Sequence, residues 1–233
     1  MTARLVRPSF VTWLALAASV VVVTGTVAFL VARYDRLPDL LPVHFKDNGV
    51  PNGWQYKTPW RVLMPAFVQV ALVATFGSVG VLLLSRAHGE HDRDAADVRA
   101  ASAATEAVAL IALIWIAFQA YAASALEGMW YRQHGGLSAL YTGLEITGVV
   151  ASVLVFARAR LRLGSPEPRP FVPEHWRFGQ LYKNPDDPAL FVPTRDGTRW
   201  TLNFGRPVAA GLMGLILAVG IVGPAVILRL LLR

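Results

Sequence analysis

The chain has 233 residues, of which 55% are hydrophobic and only 16% charged, a balance that excludes an ordinary water-soluble globule. It contains no cysteine, which excludes disulfides, thiolate metal sites and thiol nucleophiles. The net charge of +7 fits the Lys and Arg enrichment of cytoplasmic loops in membrane proteins better than nucleic-acid binding.

Five apolar runs follow in chain order: Ser9–Ala32, Val62–Leu84, Ala107–Leu126, Leu137–Ala157 and Pro207–Leu228. Each meets the length of about 20 apolar residues needed to cross a bilayer. The reading is an all-α polytopic membrane protein of five transmembrane helices, with a small three-strand β-meander before the last. Four sections follow: 1–84 with the first two spans, 85–162 with the third and fourth, a basic aromatic domain at 163–206, and the last span at 207–233. The first run, preceded by Arg4 and Arg7, is about twice a signal-peptide core and reads as an uncleaved span. Most Lys and Arg residues fall in the N-terminus, the second loop (85–106) and the fourth loop (158–206). The positive-inside rule then places the N-terminus in the cytoplasm and the C-terminus outside, although Arg33, Arg36 and Arg61 flank the outward first loop.

In loop one, Leu41–Lys46 reads as extended, followed by tight turns at Asn48-Gly49 and Pro51-Asn52-Gly53. Thr58-Pro59 is a helix entry, the hydroxyl capping and the proline sitting at the first position. Trp54, Tyr56 and Trp60 fit an interfacial aromatic belt. Loop two carries His88-Gly-Glu-His91-Asp92, which lacks zinc-helix spacing and reads as a solvated charge run. Glu106, at the edge of the third run, is expected to stay wet.

Glu145 is a carboxylate in the middle of the fourth run, where it costs roughly 2.5–3.5 kcal/mol and should face the bundle interior or a wet cavity. Gln119 lies at nearly the same depth, so the two can pair, either as a proton or cation site or as a structural hydrogen bond. His44, with His134, Asp39, Asp47 and Glu127 on the same face, offers either a metal site or, preferably, a histidine that braces its turn. The last run carries Gly211, Gly214, Gly220, Gly223 and Pro224, which suit close helix packing.

Loop four opens proline-rich (163–170), then suggests strands at 178–183, 189–195 and 198–204 with a two-residue turn at Asp196-Gly197. So small a meander must rest its apolar face on the spans, the bilayer or another copy. Its basic and aromatic residues Arg177, Tyr182, Lys183, Arg195, Arg199 and Trp200, together with Arg206, Trp176 and Phe178, suit anionic lipid headgroups. Three spans separate loops one and four, so the two cannot share one membrane face.

The set Leu37-Pro38, Pro42-Val43-His44-Phe45, Asn48-Gly49 and Asn52-Gly53-Trp54 after a first span resembles a bacterial domain of unknown function (DUF 1648 type). That domain also forms the N-terminal part of SdpI-type immunity proteins, which protect cells against a secreted toxin. The chain departs from the pattern at Asn52, where an acidic residue is usual. Tyr182-Lys-Asn-Pro-Asp-Asp187, Leu190-Phe-Val-Pro193 and Trp200-Thr-Leu-Asn203 resemble a second such domain (DUF 5808 type), often joined to the first. The resemblance implies a membrane protein with an immunity or envelope-signalling role, and a ligand or partner loop comprising Pro42, His44, Phe45, Asn48, Gly49, Gly53 and Trp54. No catalytic triad, phosphate loop or cofactor fingerprint is found, so no catalytic residue, metal or cofactor is assigned. The expected partners are the lipid bilayer, a secreted peptide or membrane protein, and a second copy of the chain, with nucleic acid excluded. Two alternatives stay open: a small proton- or cation-coupled transporter centred on Glu145 and Gln119, and a metal-dependent membrane enzyme using His44.

Overall fold

The computed structural model describes residues 4–5, 7–46, 48–86, 95–136, 138–164, 166, 169–215 and 217. The helices are α1 (Phe10–Arg33), α2 (Pro59–Val62), α3 (Met64–Leu84), α4 (Ala95–Arg132) and α5 (Ala139–Leu163), with short 3-10 turns at Tyr34–Arg36 and Pro173–His175. Among the described residues eight short strands form four antiparallel pairs. They are β1 (Arg4–Leu5) with β4 (Ser85–Arg86), β2 (Leu40–Phe45) with β3 (Pro51–Tyr56), β5 (Trp176–Arg177) with β6 (Leu181–Tyr182), and β7 (Phe191–Pro193) with β8 (Trp200–Leu202).

Among the described residues, four helices are long and apolar enough to cross a membrane: Phe10–Arg36, Met64–Leu84, Val98–Arg132 and Ala139–Leu163. The expected fifth span is not added to that count: residues 207–215 are helical, but most of the remainder of the 207–228 run lies outside the described residues. The charge run at His88–Asp92 lies outside them too.

The burial pattern is that of helices in lipid. On α1 the buried stripe is Thr12, Ala15, Ser19, Thr26 and Leu30, while Trp13, Leu14, Val20 and Val21 stand exposed. Small and hydroxyl-bearing residues therefore face the protein and bulky aliphatic ones face outward, as expected where lipid solvates the outer face. The hydroxyls are satisfied within the helix, Ser19 donating to the Ala15 carbonyl at 2.8 Å and Thr26 to that of Val22 at 2.9 Å.

The second span begins as the Thr58-Pro59 signature requires. Thr58 Oγ1 accepts the Arg61 N–H at 3.3 Å and Pro59 occupies the first turn. The helix then breaks at Leu63 before continuing as α3. Pro65 explains the break: it has no N–H to donate to the carbonyl one turn back.

The chain divides into two compact units. In one, comprising residues 11–76 and 109–156, the core is Leu30, Leu37, Leu41, Val62, Ala123 and Trp130. Gln69, wholly buried on α3, donates from Nε2 to Thr26 Oγ1 (3.1 Å) and to the Ile116 carbonyl (2.9 Å), tying α1, α3 and α4 together. At the end of this core Glu127 pairs with Arg33 at 3.5 Å.

The other unit comprises residues 1–10, 77–108 and 157–233. Its core joins Leu83 to Leu190, Ala209 and Leu212, with Leu82, Ala104, Phe191 and Leu202 packed around them. Loop four thus lays its apolar side on the spans. Glu106 corrects the expectation of a wet interfacial carboxylate: it is 4% exposed. Ser9 Oγ donates to it at 2.9 Å, Arg158 lies 3.7 Å away, and Arg162 pairs with it directly. The cause is that α4 starts at Ala95, which puts Glu106 well inside a helix rather than at its edge.

The three-strand meander is replaced by two separate hairpins, β5–β6 and β7–β8. Prolines 185 and 188 in the intervening 183–190 segment remove backbone donors, so the Asn203 side chain bonds that segment instead of a strand ladder. The β7–β8 connection is also longer than the two residues expected, running from 194 to 199. Asp196 fixes it by accepting from the Thr194 hydroxyl (2.6 Å), the Thr198 hydroxyl (2.7 Å) and the Thr198 N–H (3.1 Å). These bonds, the Thr194 hydroxyl first, hold its carboxyl down to about 2.

Candidate functional site

The hairpin β2–β3 carries the residues singled out in loop one. The expected extended stretch is β2, but Pro51-Asn52-Gly53 starts strand β3 instead of making a second turn. A register shift between Pro42 and His44 sets His44 opposite Gly53. A side chain at 53 would come within 3.0 Å of the His44 Cβ, so the bulged strand needs glycine there. Proline is tolerated at the first position of such an edge strand.

Part of the hairpin is anchored. Leu41 and Pro42 are fully buried, Leu41 within the core of its unit. Gly49, in the left-handed region at φ +80°, accepts the Gly135 N–H at 2.8 Å. A methyl at Gly49 would overlap the His134 ring and the Gly135 carbonyl, and one at Gly135 would overlap the Phe45 ring. Gln133, itself at φ 56°, donates to the Leu40 carbonyl at 3.3 Å. The loop from Gln133 to Gly135 is therefore the seat of the hairpin. Sequence reasoning missed that seat, though the paired glycines 135 and 136 in a short connection were its visible signal.

His44 Nδ1 meets Asn52 Oδ1 across the hairpin. The other residues weighed with it as metal ligands are engaged elsewhere: Asp39 with Lys57 at 3.6 Å and Glu127 with Arg33. His134 packs on Gly49, and Asp47 lies outside the described residues. No cluster of three metal-ligating side chains occurs among the described residues. This geometry suits the turn-bracing histidine. Asn48 Oδ1 accepts the Val50 N–H at 3.1 Å and closes the turn.

Other residues of the hairpin are open. Val43, Val50, Trp54 and Tyr56 are exposed, Tyr56 by 75%, as is Trp60 just beyond by 74%. Small apolar and aromatic side chains thus stand on a backbone whose shape is set by the anchored residues.

Glu145 is exposed on α5 and Gln119 is half-buried on α4, with no hydrogen bond between them among the described residues. Gln69 is instead a buried amide within a span, and its Oε1 has no partner among the described residues. Nothing in the sequence pattern set Gln69 apart from Gln119, because both are lone glutamines in apolar runs.

In loop four Arg177, Lys183, Arg195 and Arg199 are exposed, while Tyr182 and Trp200 are half-buried. Trp200 Nε1 donates to the Gly164 carbonyl at 3.3 Å, and Tyr182 Oη to Asp187 Oδ2 at 3.0 Å. Burial, with Asp187 alongside, pushes the Tyr182 hydroxyl above its ordinary range. Tyr182 and Arg195 share one cavity; Arg177, Lys183, Arg199 and Trp200 do not line it.

Comparison with known proteins gives two family matches, each over one of these segments. No curated protein and no solved structure matches the chain. Residues 21–68 match the domain of unknown function DUF1648 and residues 185–209 match the family of unknown function DUF5808, so the hairpin and loop four of this membrane protein carry the two domains that their motifs resemble.

Proposed function

We propose that the protein is a non-enzymatic integral membrane protein with an immunity or envelope-signalling role, in which the β2–β3 hairpin engages a secreted peptide or membrane partner outside the cell. The observation that carries this reading is the asymmetry of the hairpin. Leu41, Phe45 and Gly49 are held against the protein, whereas Val43, Val50, Trp54 and Tyr56 are uncovered. Preorganised aromatic side chains are the usual anchors of a binding surface, because little entropy remains to be lost on docking. The free edges of a two-stranded sheet also offer backbone groups to an added strand. In this reading loop four lies on the cytoplasmic side, against the headgroups.

The test is photo-crosslinking in living cells from a benzophenone amino acid placed at Val43. The reading predicts an adduct with a peptide or protein, reduced to background when Trp54 and Tyr56 are both changed to serine. Adducts with lipid alone at unchanged membrane levels would contradict it and leave the aromatic residues as a membrane belt.

A further inference from the structure

Loop four contains a cavity of about 260 Å³ that is separate from the hairpin and from its proposed role. Phe171, Trp176, Tyr182 and Pro193 line it, and Arg169 and Arg195 are the charged residues in its wall. The aromatic rings support one another, Trp176 standing 5.3 Å from Tyr182 edge to face and Phe171 6.4 Å from Trp176. Pro193, the last residue of β7, is buried. The lining is therefore apolar and held in place by its own packing.

The charges are arranged unequally. Arg169 is tied to Asp187 Oδ2 at 3.0 Å. That carboxylate is already occupied, accepting from Tyr182 Oη at 3.0 Å and, through Oδ1, from the Ala189 N–H at 2.9 Å. Asp187 thus acts as a fixed support that sets the position of Arg169. Arg195 lies over the Phe171 ring, its guanidinium carbon 4.6 Å from the centroid. It has no carboxylate partner among the described residues. A guanidinium stacked on a ring keeps its N–H edge available for an oxyanion, and the ring reduces the entropy lost when one binds.

We infer that this cavity is a binding site for a phosphate carried on an apolar body, with Arg195 gripping the phosphate, Arg169 assisting, and Phe171, Trp176 and Pro193 receiving the apolar part. A phosphate offers two or three terminal oxygens, enough to serve both guanidinium groups. The volume of about 260 Å³ admits the phosphate and the apolar part next to it, and leaves the rest of the molecule outside. The same chemistry is available from an anionic phospholipid or from a soluble phosphate ester.

The test uses the full-length protein and two probes. Native mass spectrometry after exposure to equal phosphatidylglycerol and phosphatidylcholine reads lipid enrichment, and titration with phenyl phosphate in phosphatidylcholine nanodiscs reads the soluble source. The expected result is phosphatidylglycerol enrichment of about fivefold that Arg195→Gln removes. The equal charge change Arg199→Gln, outside the cavity, leaves it in place. Phenyl phosphate binding with the same Arg195 dependence, without lipid enrichment, would support the site and assign it to soluble esters. Equal losses in the two variants would overturn the site in favour of a diffuse basic surface. Absence of binding by both probes would overturn it outright. Arg195 is exposed, so its substitution leaves the fold intact, which unchanged thermal unfolding verifies.

Discussion

Replacing Asn203 with leucine unfolds loop four while the spans stay inserted. Asn203 is completely buried and connects the two hairpins of that loop. Its Oδ1 accepts the N–H groups of Asn184 (3.0 Å) and Gly205 (2.9 Å). Its Nδ2 donates to the carbonyls of Asn184 (2.8 Å), Asp187 (3.1 Å) and Ala189 (3.2 Å). A buried group left unpaired costs about 1–3 kcal/mol, so losing partners for several at once removes about 4 kcal/mol or more. Two short hairpins have no comparable reserve. Limited proteolysis in detergent should cut the 176–204 segment at least about a hundredfold faster in the variant, each tenfold corresponding to about 1.4 kcal/mol. Asn203→Asp should fail almost equally, because it keeps the acceptor but sets a carboxylate oxygen against carbonyls that need a donor. A loop that resists protease in both variants would show that the network is dispensable.

Gly49→Ala should release the hairpin from its seat. The left-handed backbone at this position costs an alanine about 1–2 kcal/mol. The added methyl also overlaps the Gly135 backbone oxygen, which cannot rotate away as a side-chain tip can. Gly135→Ala should act alike through the Phe45 ring. Gly25→Ala meets nothing within 4 Å and should be silent. A cysteine placed at Leu41, buried in the native hairpin, reads the outcome. It should react with a maleimide in the Gly49→Ala and Gly135→Ala backgrounds and remain protected with Gly25→Ala. Protection in all three would mean that the hairpin does not depend on this contact.

What the sequence made legible follows the reach of its signals. Long apolar runs reveal spans because a single-chain property, length at sufficient hydropathy, is all that insertion requires. The Thr58-Pro59 entry was readable because capping is local, and the break at Leu63 follows from Pro65, which has no N–H to donate one turn back. Loop four shows the limit. The 198–204 stretch had the alternation of a strand, but pairing was decided by Asn203, just after β8, reaching across to residues 184–189. Glu106 was misjudged for a related reason: its arginine partners lie more than fifty residues away on α5, and no local pattern announces them. In the hairpin the motif residues were identifiable, while their purpose became clear only with the 133–135 seat in view. Gly49 serves a contact with Gly135 as much as it serves a turn.

The central claim is that the hairpin faces outward and loop four faces the cytoplasm, on opposite sides of the spans between them. The chain's lack of cysteine makes labelling of single introduced thiols in intact cells the most direct measurement. Lys46 and Arg199 are exposed, and no side-chain bond among the described residues involves either, so cysteines there leave both segments undisturbed. The account predicts that an impermeant maleimide labels position 46 at once and position 199 only after lysis. Labelling of 199 in intact cells with 46 protected would contradict it, placing the hairpin in the cytoplasm and ending any role for it in capturing a partner from outside.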